Sequence, residues 1–441
     1  MRRHESARPD PSLRKRSLLG MTRDEAIAPV PDAKPHVIMV AYHFPPAPEI
    51  GGQRPFRFRK YLERMGYRCY VITASEQPKD GPPDTIFIPD ELRAVWDEGP
   101  KGRLSFEGWQ ELLIRKAMFP GHYGFIWSRK VAAECRRMIR SQPENRFVLY
   151  STYPPLGTIA TGLRVRSREK IPWIADFRDP VGGQAPELLS RQTRFCIPWL
   201  ERVTFRRASV VVANVQAAAD MWRKRFPWAQ RKLRVIYNGF DPEDVPQARP
   251  IPARDHKLIV HAGALYHGRN PNVIVESLAR LRAAGTQESA SARVLLLGAT
   301  DAKAGFDHAL FEHAQREGWL ELRPQVPRPE AQRLLEEADG LLLVQPQSNV
   351  QVPGKLFEYM CIGRPVLALV QRSSAVEDIL VKAEAAHVCI YTDDSAEAAD
   401  RKMLEFLRMP NTAAQPNEWF RTGFNAEHQA EELAGIIESL A

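Results

Sequence analysis

The chain is short of the residues that mark several protein classes. Its 441 residues include five cysteines. Cys69, Cys135, Cys196, Cys361 and Cys389 are odd in number, far apart and without paired metal-type spacing. That pattern argues against a disulfide scaffold and a zinc knuckle, and predicts a reducing, cytoplasmic setting. No apolar run approaches the roughly 20 residues a spanning helix needs, and no apolar signal core follows the N-terminal arginines. An Asp-x-Asp metal pair, a low-complexity tract, an internal repeat and a coiled-coil heptad are also missing. Residues 1–34 carry no hydrophobic period and read as a disordered basic leader.

Charge is present but unevenly placed. The first 255 residues hold 44 Lys+Arg against 28 Asp+Glu, and the remainder 18 against 25. A basic first half suits a phosphorylated substrate, an anionic membrane or nucleic acid. No nucleic-acid recognition motif accompanies it, so nucleic acid ranks last. Arg-rich helices with buried stems and solvated heads would give the same count.

Two successive blocks alternate strand and helix. In the first, the apolar run at 36–41 suits a buried parallel strand, and a Pro/Gly loop and an amphipathic helix through Phe56, Phe58, Tyr61 and Leu62 follow it. Strands are expected at 70–73, 147–150, 172–175 and 209–213. In the second, strands are expected at 257–262, 293–297, 320–322, 340–344 and 366–370, with helices near 271–284, 305–317, 329–337 and 354–362. The expected fold is α/β, two facing Rossmann-like doubly wound domains with a cleft between them. The domains are placed at 35–235 and 236–415, with a C-terminal helix at 416–441 that could cross back to the first.

The most informative segment is 352–367. Pro353 and Gly354 lead into an apolar helix with Lys355 and Glu358 in its first turn, and Gly363 and Pro365 end it before a buried strand. Free N–H groups at such a helix start, with Lys355, suit a diphosphate, while a carboxylate one turn in suits a diol such as a ribose. A buried helix with a solvated Lys and a Glu favourable to its dipole would read the same way. Gly51 and Gly52 follow the first strand, where glycine lets the backbone approach an oxyanion or reach positive φ, or simply turns the chain. Gly263 follows the first strand of the second block, and Arg269 precedes Pro271, where a guanidinium can clamp a diphosphate. Asp176, Arg178 and Asp179 stand directly after a strand. Either they face the cleft and act on the acceptor, or an Asp–Arg pair fixes the loop entering Pro180. His43 is a further candidate beside a Phe-Pro-Pro turn.

Taken in order, these segments resemble a retaining glycosyltransferase of family 4, which has the GT-B fold. The resemblance rests on Phe44, Pro45, Pro46, Gly51, Gly52, Arg54 and Pro55; on Asp176 to Pro180; on Asn238 to Asp241 as the hinge; on Gly263 to Arg269; and on Lys355 to Pro365. It covers roughly residues 36–410. It implies a nucleotide-sugar donor, UDP- or GDP-linked, held by Gly51, Gly52, Gly263, Arg269, Lys355 and Glu358, with Asp176, Arg178 and Asp179 on the catalytic side. It further implies a glycan or lipid-linked acceptor, no metal, no separate cofactor and a place in cell-surface or exopolysaccharide synthesis. The family's first glutamate of a pair is Val350 here, which leaves the sugar open. A sugar-nucleotide epimerase of similar fold and a catalytically silent scaffold are the alternatives. The aromatics and cations of residues 103–130 predict peripheral contact with an anionic membrane at its inner face, or else core packing.

Overall fold

The computed structural model describes residues 34–46, 50–78, 81–93, 105–119, 122–181, 191–266, 268–300 and 304–440. Of the expected basic leader only Lys34 falls among them, and its ammonium donates to Met65 O at 2.8 Å. Two all-parallel sheets organise the rest. The first has seven strands in the order β3-β2-β1-β4-β5-β6-β7, the second six in the order β10-β9-β8-β11-β12-β13. The first comprises β1 His36–Ala41, β2 Cys69–Thr73, β3 Thr85–Phe87, β4 Phe147–Tyr153, β5 Trp173–Phe177, β6 Val210–Ala213 and β7 Leu233–Val235. The second comprises β8 Lys257–Ala262, β9 Ala292–Leu297, β10 Leu320–Arg323, β11 Gly340–Gln345, β12 Val366–Val370 and β13 His387–Tyr391.

Near-continuous apolar runs such as Val-Ile-Met-Val-Ala in β1 and Val-Leu-Ala-Leu-Val in β12 are buried because helices cover both sheet faces. Strands β3, β7 and β13 lie outside the expected set. All three are at sheet edges, and β3 and β7 are only three residues long, too short for a periodic signal.

The C-terminal helix Ala426–Leu440 buries Ala426, Ala430, Leu433 and Ile437 in one cluster with Val37, Met39, Phe58 and Leu62 of the first domain. Tyr67 Oη donates to Glu438 Oε1 at 2.5 Å on the same seam. The chain therefore returns to the domain where it began.

A buried guanidinium ties this arrangement together. Arg54, in the first turn of helix Gln53–Arg64, meets Asp176 at the end of β5 through Nε at 3.0 Å and Nη2 at 2.9 Å. The two side chains are 7% and 0% exposed. The same guanidinium donates to Ile236 O at 2.9 Å and Tyr237 O at 2.6 Å, the first residues after β7. One turn and two turns further on, Arg57 donates to Gly239 O and the Lys60 ammonium lies 2.9 Å from Asp241. Asp241 also accepts from Tyr61 Oη at 2.7 Å. The segment linking the domains is thus clasped along one face of a single helix.

The segment at 103–130 divides. Phe119, Phe125, Ile126 and Trp127 are buried in the first core, whereas Phe106, Trp109 and Leu113 are exposed. Helix Phe106–Ala117 is docked by Glu111, whose carboxylate accepts from Phe125 N at 3.1 Å and Ile126 N at 2.8 Å.

Removing one partner of a buried ion pair strands the other charge, at a cost of about 3–5 kcal/mol. Asp176→Asn should therefore lower the thermal unfolding midpoint clearly. Calorimetry showing a wild-type midpoint would contradict the clasp.

Candidate active site

The second domain contributes a cationic pocket. Gly263 leaves β8 at φ +134°, where an L side chain is strained. A Cβ there would also sit 2.3 Å from Lys355 Nζ and displace the ammonium. Lys355 and Tyr359, one turn apart on helix Lys355–Ile362, both dock on the end of β8. Tyr359 Oη accepts from Ala262 N at 3.1 Å, and Lys355 Nζ lies 3.3 Å from His261 Nε2. His261 is wholly buried, and its Nδ1 lies 2.9 Å from Leu342 O. That carbonyl can only accept, so Nδ1 carries the proton and Nε2 accepts from Lys355. Burial, then the neighbouring Lys355 charge, hold the imidazole down at about 3, keeping it neutral. Burial, followed by the Arg269 charge, also lowers the Lys355 ammonium to about 8.

Arg269 lies over the Tyr266 ring at 4.9 Å and donates to its hydroxyl at 3.0 Å. Its Nε is buried without a partner among the described residues. No side chain caps the N-terminus of helix Lys355–Ile362 at Gly354. Lys355 and Arg269, neither of them ion-paired with a carboxylate among the described residues, make a place for an anion beside the bare helix end. Glu358, one turn in, is 48% exposed and stands 4.0 Å from Arg328. The part of the side chain that is covered raises its carboxyl above the ordinary value, against the pull of Arg328 and of Arg57 from the first domain.

The first domain contributes the edge after β1 and β5. Gly51 and Gly52 show negative or extended φ, Gly52 at −81°, so the expected positive φ is not what they provide. They provide closeness instead. A Cβ on Gly51 would meet Arg178 Nη1 at 2.9 Å, and one on Gly52 the Phe44 backbone at 3.1 Å. Arg178 spends its donors on Tyr153 O at 3.1 Å, Pro154 O at 2.6 Å and Gly51 O. It pins the glycine loop to the end of β4. His43 lies in the same place, with Nε2 3.3 Å from Tyr123 Oη.

The three charges expected on the catalytic side are therefore not equivalent. Asp176 accepts from Arg54, from Tyr150 Oη at 2.6 Å and from Thr152 Oγ1 at 2.9 Å, and has no exposed surface. That geometry favours the anchoring alternative, with Arg54 as the partner in place of Arg178. Asp179 is different. Among the described residues no hydrogen bond or ion pair holds its carboxylate, which burial raises to about 6 while Arg178 and, from the second domain, Arg269 pull it down. It is the first-domain carboxylate that feels Arg269.

Two residues escaped sequence reasoning. His261 sits inside an apolar strand run and carries no signal apart from the Gly two positions later. Gln345 ends β11, fully buried, with both amide atoms unpartnered among the described residues. An unmade bond of that kind costs about 1–3 kcal/mol, so a ligand or water is expected there.

Residues 53–244 match the family described as Glycosyltransferase Family 4. No curated protein matches the sequence. Sucrose-phosphate synthase from Thermosynechococcus elongatus is similar in structure, with a TM-score of 0.63 and 16% identity over 92% of this chain and 99% of that one. The UDP-forming α,α-trehalose-phosphate synthase from Burkholderia xenovorans gives 0.60 and 12% over 92% and 99%. A protein described as a UDP-N-acetylglucosamine 2-epimerase, from Listeria monocytogenes, gives 0.51 and 13% over 92% and 96%. At these identities the likeness establishes the GT-B fold.

A diphosphate favours protonated Lys355, whose ordinary value of 10.5 is lowered to about 8 in the folded chain. Affinity for a nucleoside diphosphate whose terminal phosphate is fully ionised should therefore fall as pH rises through that value. Calorimetric titration across pH checks this, and Lys355→Met should weaken binding and erase the step.

Proposed function

We propose that the protein is a glycosyltransferase that moves a sugar from a UDP- or GDP-linked donor to a glycan or lipid-linked acceptor. The observation that carries this reading is the convergence of Arg269, Lys355, Gly263 and an uncapped helix end on one side of the cleft, opposite Asp179. Breaking a sugar–phosphate bond builds negative charge on the departing diphosphate, and preorganised cations stabilise that charge without reorganising. The two side chains and the helix amides supply what a metal would otherwise supply, so the reaction is read as metal-independent. Glu358 faces outward one turn in and suits the ribose diol.

Asp179 is the acceptor-side group on this reading. With a value of about 6 it is ionised at neutral pH and able to accept a hydrogen bond from an incoming hydroxyl. Arg178 orients the loop beneath it, and Asp176 acts through Arg54 on the same edge. The resemblance to family 4 supports retention of anomeric configuration, with the leaving phosphate assisting the acceptor's proton. Val350 stands where relatives place a sugar-contacting Glu; its amide and that of Gln351 bond to Ser348 Oγ at 3.3 and 3.2 Å, so backbone shape defines that wall. Synthesis of a surface glycan at the inner face of an anionic membrane fits the basic first domain.

Free nucleoside diphosphate should accumulate only when donor and acceptor are both present. Conversion of the donor sugar without diphosphate release would instead indicate an epimerase, and no turnover with any acceptor a scaffold. Glu358→Gln should weaken donor binding by roughly 1.5–3 kcal/mol, as for loss of a charged acceptor of hydrogen bonds. Asp179→Asn should lower turnover at least about tenfold with donor affinity kept; unchanged turnover would remove it from the reaction.

A further inference from the structure

Helix Arg191–Arg207 connects β5 to β6, so a right-handed crossover sets it on the same sheet face as helices Trp127–Ser141 and Leu156–Arg166. Ile197, Leu200 and Phe205 hold it to the core. The opposite stripe is Phe195, Trp199, Arg202 and Arg206, spaced four, three and four residues apart, which is one face of a helix. Phe195 is 78% exposed and Trp199 51%. Arg191 and Arg207 are exposed at its two ends.

The sole carboxylate of the helix, Glu201, is buried and bonded to Trp222 Nε1 at 3.0 Å and Arg225 Nη1 at 2.8 Å. The outer surface thus presents aromatic rings and guanidinium groups without an acid among them. Arg191, Arg202, Arg206 and Arg207 form no ion pair with any described residue. Arg206 lies 5.7 Å from the ring of Trp228, itself half exposed, which lengthens the strip.

We propose that this helix docks the first domain on an anionic lipid bilayer. Aromatic rings with no ring partner among the described residues settle at the boundary of headgroups and acyl chains, and arginines unpaired there match lipid phosphates. Charge chooses among occupants: a second copy would set arginine against arginine across this strip. Phe106, Trp109 and Leu113, on the helix that Glu111 docks at the start of Trp127–Ser141, supply a second exposed apolar stripe. The surface shares no residue with the cationic pocket and does not depend on the reaction proposed for it.

Sedimentation of the full chain with phosphatidylcholine vesicles, with and without phosphatidylglycerol, tests the proposal. Binding should require the anionic lipid and weaken as salt rises. Arg202→Glu/Arg206→Glu and Phe195→Ser/Trp199→Ser should each lower vesicle affinity at least about tenfold, with melting midpoint and nucleoside-diphosphate binding at wild-type level, since all four side chains are exposed. Absence of binding at low salt, indifference to anionic lipid, or wild-type binding by both variants overturns it. Self-association of the wild-type chain that Phe195→Ser/Trp199→Ser abolishes would overturn it in favour of a protein interface.

Discussion

The bidentate contact between Arg54 and Asp176 is the constraint on which the cleft depends. An isolated buried charge is too costly to persist, so the guanidinium needs every one of its acceptors. Those acceptors lie on different pieces of the chain: the end of β5 and the carbonyls that follow β7. Asp176 in turn needs Tyr150 and Thr152 on β4. Satisfying one ion therefore sets the spacing of two strand ends, the start of helix Gln53–Arg64 and the exit from the first domain. Arg57 and Lys60 carry the same face onward to Gly239 and Asp241.

The linking segment is held from the other side as well. Phe240 N donates to Phe424 O and Phe240 O accepts from Ala426 N, joining the link to the C-terminal helices. Phe357, two residues after Lys355, stacks on Phe424 at 5.3 Å between ring centroids. The helix that carries the anion pocket and the segment that links the domains thus share one aromatic stack. Position of Lys355 relative to Asp179 follows from packing in the link as much as from either sheet.

Much of the fold was legible because parallel strands buried on both faces are written as short apolar runs between turn residues. Helix Lys355–Ile362 was legible for a related reason: Pro353, Gly354, Gly363 and Pro365 punctuate it on both sides. The role of Asp176 was not. Arg178 lies two residues away, whereas Arg54 lies 122 residues away, and a local reading pairs neighbours. His261 was hidden because an imidazole inside an apolar strand looks like core until the helix that brings Lys355 against it is in place. The aromatics of 103–130 were ambiguous because interfacial and core faces share a composition, and only burial separates Phe125 and Trp127 from Phe106 and Trp109. Helix Arg191–Arg207 was passed over because its aromatics are few, and their exposure is a tertiary fact.

Two neighbouring cations beside an uncapped helix end repel one another when the site is empty and are favoured when an anion fills it. Thermal unfolding in the presence of UDP, GDP, their sugar conjugates and the parent nucleosides tests that most directly. A ligand bound only by the folded chain raises the midpoint as its concentration exceeds its dissociation constant. One base series should raise the midpoint in its diphosphate and sugar-diphosphate forms, with little effect from the nucleoside. No shift with any diphosphate, or equal shifts from diphosphate and nucleoside, would contradict the account.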